Sequence, residues 1–139
     1  FHFLCMRADL FTPTLIKMLK KLIDIGGKKM VMWQDRWGKT ALYFACSFSI
    51  GERSLGVIKE LIEAGGKEFV LKPTCGGLTP LHQACECTDH SPFREQAIDL
   101  LLDVGREKLL FTIDYQSQLT AIGFEGKKYQ VLKNVVSPN

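Results

Sequence analysis

No apolar run in this chain approaches the ~18 residues that a membrane-spanning helix needs. Charge of neither sign dominates. The 18 basic and 15 acidic residues leave a net +3, too balanced by itself to mark a nucleic-acid binder. Proline is sparse at 5, and with 12 glycines the composition is neither collagen-like nor that of a linker. An even cysteine count is lacking too. Cys5, Cys46, Cys75, Cys85 and Cys87 make five, whereas a complete disulfide framework prefers pairs. Free buried thiols in a reducing compartment are the simpler reading, so we expect an intracellular protein, cytoplasmic or nuclear. What is present is ordinary: 46% hydrophobic residues, too many for a disordered chain. The 139 residues suffice for one domain with a real core. The chain opens on Phe1 and not on Met, and we read it as a fragment or processed chain with no visible targeting peptide.

An internal repeat organises the chain. Three segments end in an amphipathic helical pattern closed by Gly26, Gly65 and Gly105. Three, four, seven and eight residues before each glycine the chain is apolar. These are Ile23, Leu22, Leu19 and Met18, then Ile62, Leu61, Ile58 and Val57, then Leu102, Leu101, Ile98 and Ala97. The closing glycine is expected to take the left-handed conformation that ends a helix. Thr12-Pro13 and Ser91-Pro92 read as helix starts, with Glu95 as a capping-box partner for Ser91 at one residue too long a spacing. After each glycine comes an apolar triplet: Met30-Val31-Met32, Phe69-Val70-Leu71 and Leu109-Leu110-Phe111. Each is too short for a helix of its own, so an extended arm with a turn at its tip is expected. A second, shorter helix then opens at Thr40, Thr79 and Thr120. Ala45-Cys46 and Ala84-Cys85 provide small residues for close packing. The closing glycines are 39 and 40 residues apart and the opening threonines 39 and 41.

Thr79-Pro80-Leu81-His82-Gln83-Ala84-Cys85 resembles the Thr-Pro-Leu-His-x-Ala signature of ankyrin repeats, and Thr40-Ala41-Leu42-Tyr43-Phe44-Ala45-Cys46 is a second copy. Val57–Gly65 is similar to the ankyrin outer helix and its closing glycine. The period of 39–41 exceeds the ~33 of that family, so these resemble expanded repeats with long loops. HEAT-like repeats share a period near 40 but lack the Thr-Pro-Leu-His opening. Tyr43 stands where His82 does, which alters the capping of that copy. The resemblance implies an all-α, ankyrin-type helix-turn-helix solenoid with short β-hairpin-like arms between repeats. We divide the single domain 1–139 into a partial repeat 1–39, repeats 40–78 and 79–119, and a degenerate repeat 120–139. Phe1–Met6 aligns with the inner helices, so the chain is read as starting in mid-repeat. Tyr129–Val136 is expected to form a short outer helix that caps the array or belongs to a longer one.

Three chemical patterns are weaker than the repeat. Gly38-Lys39-Thr40 has the end of a phosphate-binding loop, but the earlier glycine that lets backbone wrap a phosphate is replaced by Trp33. The same place in the next repeat is Gly77-Leu78-Thr79, a turn and a helix start. His82, Cys85, Cys87 and His90 are zinc-type residues, with Cys75 nearby, yet their spacing matches no paired-Cys site. A nucleophile–base pair among them lacks a third residue to orient it. Cys5, Cys46 and Cys85 are repeat-equivalent, which favours small core residues. Lysines at 17, 20, 21, 28 and 29, and at 127, 128 and 133, read as solvated faces, with an acidic protein partner the better alternative to nucleic acid because no reader motif accompanies them.

The ankyrin resemblance implies that arm tips and the inner-helix face bind protein partners. At the tips the candidates are Trp33, Asp35, Arg36, Trp37, Lys72, Thr74 and Tyr115. On the inner helices they are Phe44, Ser47, Phe48, Gln83 and Glu86, with Cys87 beside them. Tryptophan, tyrosine and arginine are the usual interface anchors, although Trp33 and Trp37 could equally pack on neighbouring arms. We expect a non-catalytic protein-binding scaffold with no cofactor, metal, nucleic acid, membrane or small-molecule substrate. The alternative is a structural repeat segment of a larger multidomain protein whose activity lies elsewhere.

Overall fold

A computed structural model describes residues 13–47, 51–86 and 91–110. Long and short helices alternate: α1 (Pro13–Val31), α2 (Ala41–Ala45), α3 (Glu52–Leu71), α4 (Pro80–Glu86) and α5 (Pro92–Leu110). Their starts follow from side-chain chemistry. Thr40, extended at φ −96° and ψ 168°, accepts the Tyr43 N–H on its hydroxyl at 3.2 Å. Ser91 accepts the Arg94 N–H at 3.3 Å. The capping partner of Ser91 is therefore the residue three positions on, and Glu95 sits one position past that reach.

The long helices stack side by side, α1 on α3 and α3 on α5, while α2 packs against α4 and each short helix packs on the long helix after it. The core is the row of seams between these pairs. Leu19, Ile58 and Ile98 occupy one repeat position and are all buried. So are Val57 and Leu61 in α3, and Ala97 and Leu101 in α5. Burying each leucine or isoleucine contributes roughly 1.5–3 kcal/mol. The same two positions of α1 are open: Met18 is 52% and Leu22 39% exposed, and Ile25 beside them is 85% exposed. The described neighbours of α5 all precede it in sequence, and it still buries Ala97 and Leu101. This face of a long helix is therefore the one that earlier elements cover.

Two expectations about the helix ends are corrected. The triplets Met30–Met32 and Phe69–Leu71 are not extended arms. Helix resumes after a single-residue break and runs to Val31 and Leu71, with the Met32 N–H donating to the Lys28 carbonyl at 3.0 Å. Leu109 and Leu110 likewise end α5. The reason is burial: Val31, Phe69 and Val70 are fully covered, and one more helical turn turns them inward. The break itself falls one residue later than the sequence pattern placed it. Gly27 (φ 58°, ψ −166°) and Gly66 (φ 70°, ψ −163°) take a backbone conformation that is essentially glycine-only. Gly26 and Gly65 serve a different need, close approach. A Cβ on Gly26 would lie 2.6 Å from Met30 Sδ, and one on Gly65 would meet the Phe69 side chain.

Candidate functional site on the arms and inner helices

With the triplets helical, the arms shrink to tight turns between a long helix and the next short one. The first is closed by an antiparallel bridge between Gln34 and Thr40. Its tip is built by Asp35, whose carboxylate accepts the N–H groups of Trp37 at 2.9 Å and Lys39 at 2.8 Å. The Asp35 N–H donates to the Lys39 carbonyl at 3.0 Å, and the Gly38 N–H to the Asp35 carbonyl at 2.9 Å. In the second arm Thr74 takes the place of Asp35. Its hydroxyl accepts the Leu78 N–H at 3.1 Å and its N–H donates to the Leu78 carbonyl at 2.9 Å. A short side-chain acceptor at this position holds the turn in both copies.

The two arms are tied together. The Cys75 N–H donates to the Trp37 carbonyl at 2.9 Å. The Gln34 amide donates to the Gly38 carbonyl at 2.7 Å and the Pro73 carbonyl at 3.0 Å. The Lys72 ammonium reaches back to the Met32 carbonyl at 3.1 Å. The side chains of the first tip are thus presented from a fixed backbone, which lowers the ordering cost of any contact they make.

Trp33 and Trp37 stand at 64% and 53% exposure. The Arg36 guanidinium carbon lies 4.0 Å from the Trp37 ring centroid, a stacked cation–π geometry. Lys39 was not singled out from the sequence beyond its Gly-Lys-Thr context, yet it joins the tip to the inner helix. Its ammonium lies 5.9 Å from the Trp37 ring, 5.5 Å from Tyr43 and 5.9 Å from Phe44. Tyr43 and Phe44 meet edge to face at 6.2 Å. The signal that could have found Lys39 is the hairpin itself, which folds it back beside Trp37.

The other candidates divide. Arg36 and Glu86 are exposed, and Phe44, Ser47 and Gln83 are half-buried, alternating with the covered Ala45, Cys46, Ala84 and Cys85. The Ser47 hydroxyl donates to the Tyr43 carbonyl at 2.8 Å. Asp35, Lys72 and Thr74 have their polar atoms engaged in shaping and joining the arms, and Thr74 is buried. Phe48, Tyr115, Cys5, Cys87 and His90 lie outside the described residues, as do Phe1–Met6 and everything after Leu110.

His82 is a fold residue. It is fully buried, and its Nδ1 accepts the Thr79 N–H at 3.1 Å and lies 2.8 Å from the Thr79 hydroxyl. Cys46 and Cys85 are buried in the core, while Cys75 is exposed. Among the described residues no three metal-ligating side chains come together. No described helix is long and apolar enough to cross a membrane.

Arg94, which the sequence did not mark, is nearly fully buried. Its Nε donates to the Ala84 carbonyl and one terminal nitrogen to the Cys85 carbonyl, both at 2.6 Å. It caps the last turn of α4, where carbonyls lose their helical partners and a cation suits the helix dipole. The long helices carry ion pairs one repeat apart: Lys20 to Glu60 at 2.8 Å and Lys28 to Glu68 at 2.9 Å. The hydrogen bond to Glu60 raises the Lys20 pKa, and that from Lys28 lowers the Glu68 pKa. Asp99 is pushed up, first by burial and then by Asp103 and Glu95.

No curated protein matches the chain at a significant level. The family model for ankyrin repeats, three copies, matches residues 7–111, more than half of the chain. Threonine-capped short helices and glycine-broken long helices recur at that repeat, and the chain belongs to the ankyrin repeat family.

Proposed function

We propose that the chain is a non-catalytic protein-binding module that holds its partner with the first arm tip and the exposed edges of α2 and α4. Ankyrin repeats are in general protein-interaction modules, which supports the coarse reading. The observation that carries the finer one is the pair of exposed tryptophans, Trp33 and Trp37, on an arm whose backbone is fixed by its neighbour. Large rigid aromatics on a pre-ordered surface are what interfaces use as anchors. Arg36, Phe44, Ser47, Gln83 and Glu86 extend this surface along the inner helices. Asp35, Lys72 and Thr74 shape it from beneath.

The test is affinity capture with the whole chain, comparing it with Trp37→Ala, Arg36→Ala and Phe44→Ala. A partner lost by these variants and kept by a substitution on the long helices supports the reading. A partner kept by all three removes this surface from consideration.

The second reading, a structural segment of a larger protein, is favoured by one observation. The apolar stripe Met18, Leu22 and Ile25 lies open on α1, whereas its counterparts in α3 are Val57 and Leu61, both buried, and the half-buried Ala64. A captured partner that depends on this stripe and not on the arms would decide for it.

A further inference from the structure

We propose that the partner segment seated on the first arm is an acidic peptide, its carboxylates held by Arg36 and Lys39 and its apolar side chains by Trp37 and Phe44. This rests on the protein-binding reading above and names the chemistry of the partner.

Charge, pairing and position point the same way. Arg36 and Lys39 flank one indole, and Lys39 lies among three aromatic rings. The rings sit beside the two cations, and an apolar segment seated on them would exclude water there, which strengthens charge-assisted bonds. Among the described residues neither cation makes a salt bridge, whereas Lys20 and Lys28 on the long helices do. The one carboxylate inside the tip, Asp35, is turned inward onto the N–H groups of Trp37 and Lys39. The tip therefore offers two positive groups with its own acid already engaged.

The site is particular to this arm. One repeat later, Cys75, Gly76 and Leu78 stand where Arg36, Trp37 and Lys39 do, so those three positions of the second arm hold neither cation nor ring. A nucleic acid draws its affinity from many phosphate contacts, and two cations with an exposed Glu86 on the adjoining inner helix give it few. A peptide needs only a few carboxylates beside apolar side chains. Arg36 suits a bidentate carboxylate and Lys39 a second, point-like one.

The experiment uses the whole chain and a labelled synthetic peptide of alternating Glu and Leu, with a Gln–Leu peptide of equal length as control, read by fluorescence anisotropy at low salt. The Glu–Leu peptide is expected to bind, and the Gln–Leu peptide to bind about tenfold weaker or less tightly still, since charged hydrogen-bond partners are being removed. The double substitution Arg36→Gln with Lys39→Gln should cost about tenfold or more. Lys17→Gln with Lys21→Gln removes the same charge from α1 and should change nothing. Urea midpoints of both doubles equal to that of the unmodified chain establish that folding is intact.

Equal binding of the two peptides overturns the proposal, and so does an equal loss in the α1 double. Displacement of the peptide by lower concentrations of an unstructured RNA oligonucleotide assigns the tip to phosphate and also overturns it. A captured protein partner that is lost on Trp37→Ala but indifferent to the Arg36 and Lys39 double refutes the acidic chemistry alone. A partner indifferent to Trp37→Ala as well refutes the protein-binding surface with it.

Discussion

Replacing Arg94 tests how the inner helices are held. Its guanidinium makes two 2.6 Å bonds to the Ala84 and Cys85 carbonyls and is 3% exposed. A hydrogen bond to a charged group is worth about 1.5–3 kcal/mol, so the pair is worth about 3–6 gross. Part of this is returned, because the variant no longer buries a cation. The net loss expected for Arg94→Ala is therefore about 3 kcal/mol. With a urea slope of about 2 kcal/mol per molar, the midpoint should fall by about 1.5 M. Arg94→Met separates bonding from packing, since it keeps an apolar stem and loses every donor. If the bonds carry the effect, Met is nearly as damaging as Ala, while Lys, which can reach one carbonyl, recovers part. Circular dichroism across a urea series reads all four chains. A Met variant as stable as the unmodified chain would show that the bonds are dispensable and that packing of the stem suffices.

Two glycines of α3 should respond with opposite signs to alanine. Gly66→Ala forces a side chain into φ 70° and should lose about 1–3 kcal/mol, whereas Gly56→Ala, in open space within the helix, should gain about 1 kcal/mol, both read from urea midpoints. One repeat position should differ between copies: Leu61→Ala, fully buried, should cost about 2–5 kcal/mol, and Leu22→Ala, 39% exposed, much less in the same assay. The pH dependence of Asp99 has a definite direction. Its pKa is raised in the folded chain, so folding favours its protonated form, and its contribution is present in acid and lost as pH rises through the folded value. Asp99→Asn should therefore raise the urea midpoint at neutral pH by the equivalent of about 0.5 kcal/mol, and the gain should vanish below the carboxylate range. An equal gain at both pH values would contradict the assignment.

The repeat, its short helices and their caps were legible because each depends on residues close in sequence. Thr40 caps three residues ahead, and Thr79 and His82 bridge the same distance. The face of the long helices was legible from the apolar spacing around Leu61 and Ile62. The resumption of helix after Gly27 and Gly66 was not, because a three-residue apolar run carries no period of its own. What makes it helical is the burial of Val31 and Phe69, a tertiary effect. Arg94 was missed for a similar reason: its partners are carbonyls nine and ten residues earlier, and no side-chain pattern marks a carbonyl. At the candidate surface Trp33, Arg36 and Trp37 stood out by residue type. Lys39 did not, because its place among Trp37, Tyr43 and Phe44 exists only once the turn is closed. Thr74 falls at a tip by position alone, and it is buried with its hydroxyl holding the turn from inside.

If the first arm and the adjoining inner helices hold a protein partner, their amides must slow when it binds. Amide hydrogen exchange of the whole chain, with and without a captured partner, tests this most directly. Added protection is expected over residues 33–47 and 83–86, with the exposed faces of α1 and α3 unchanged. Protection confined to 17–29 on α1, with the arm exchanging as before, would contradict it.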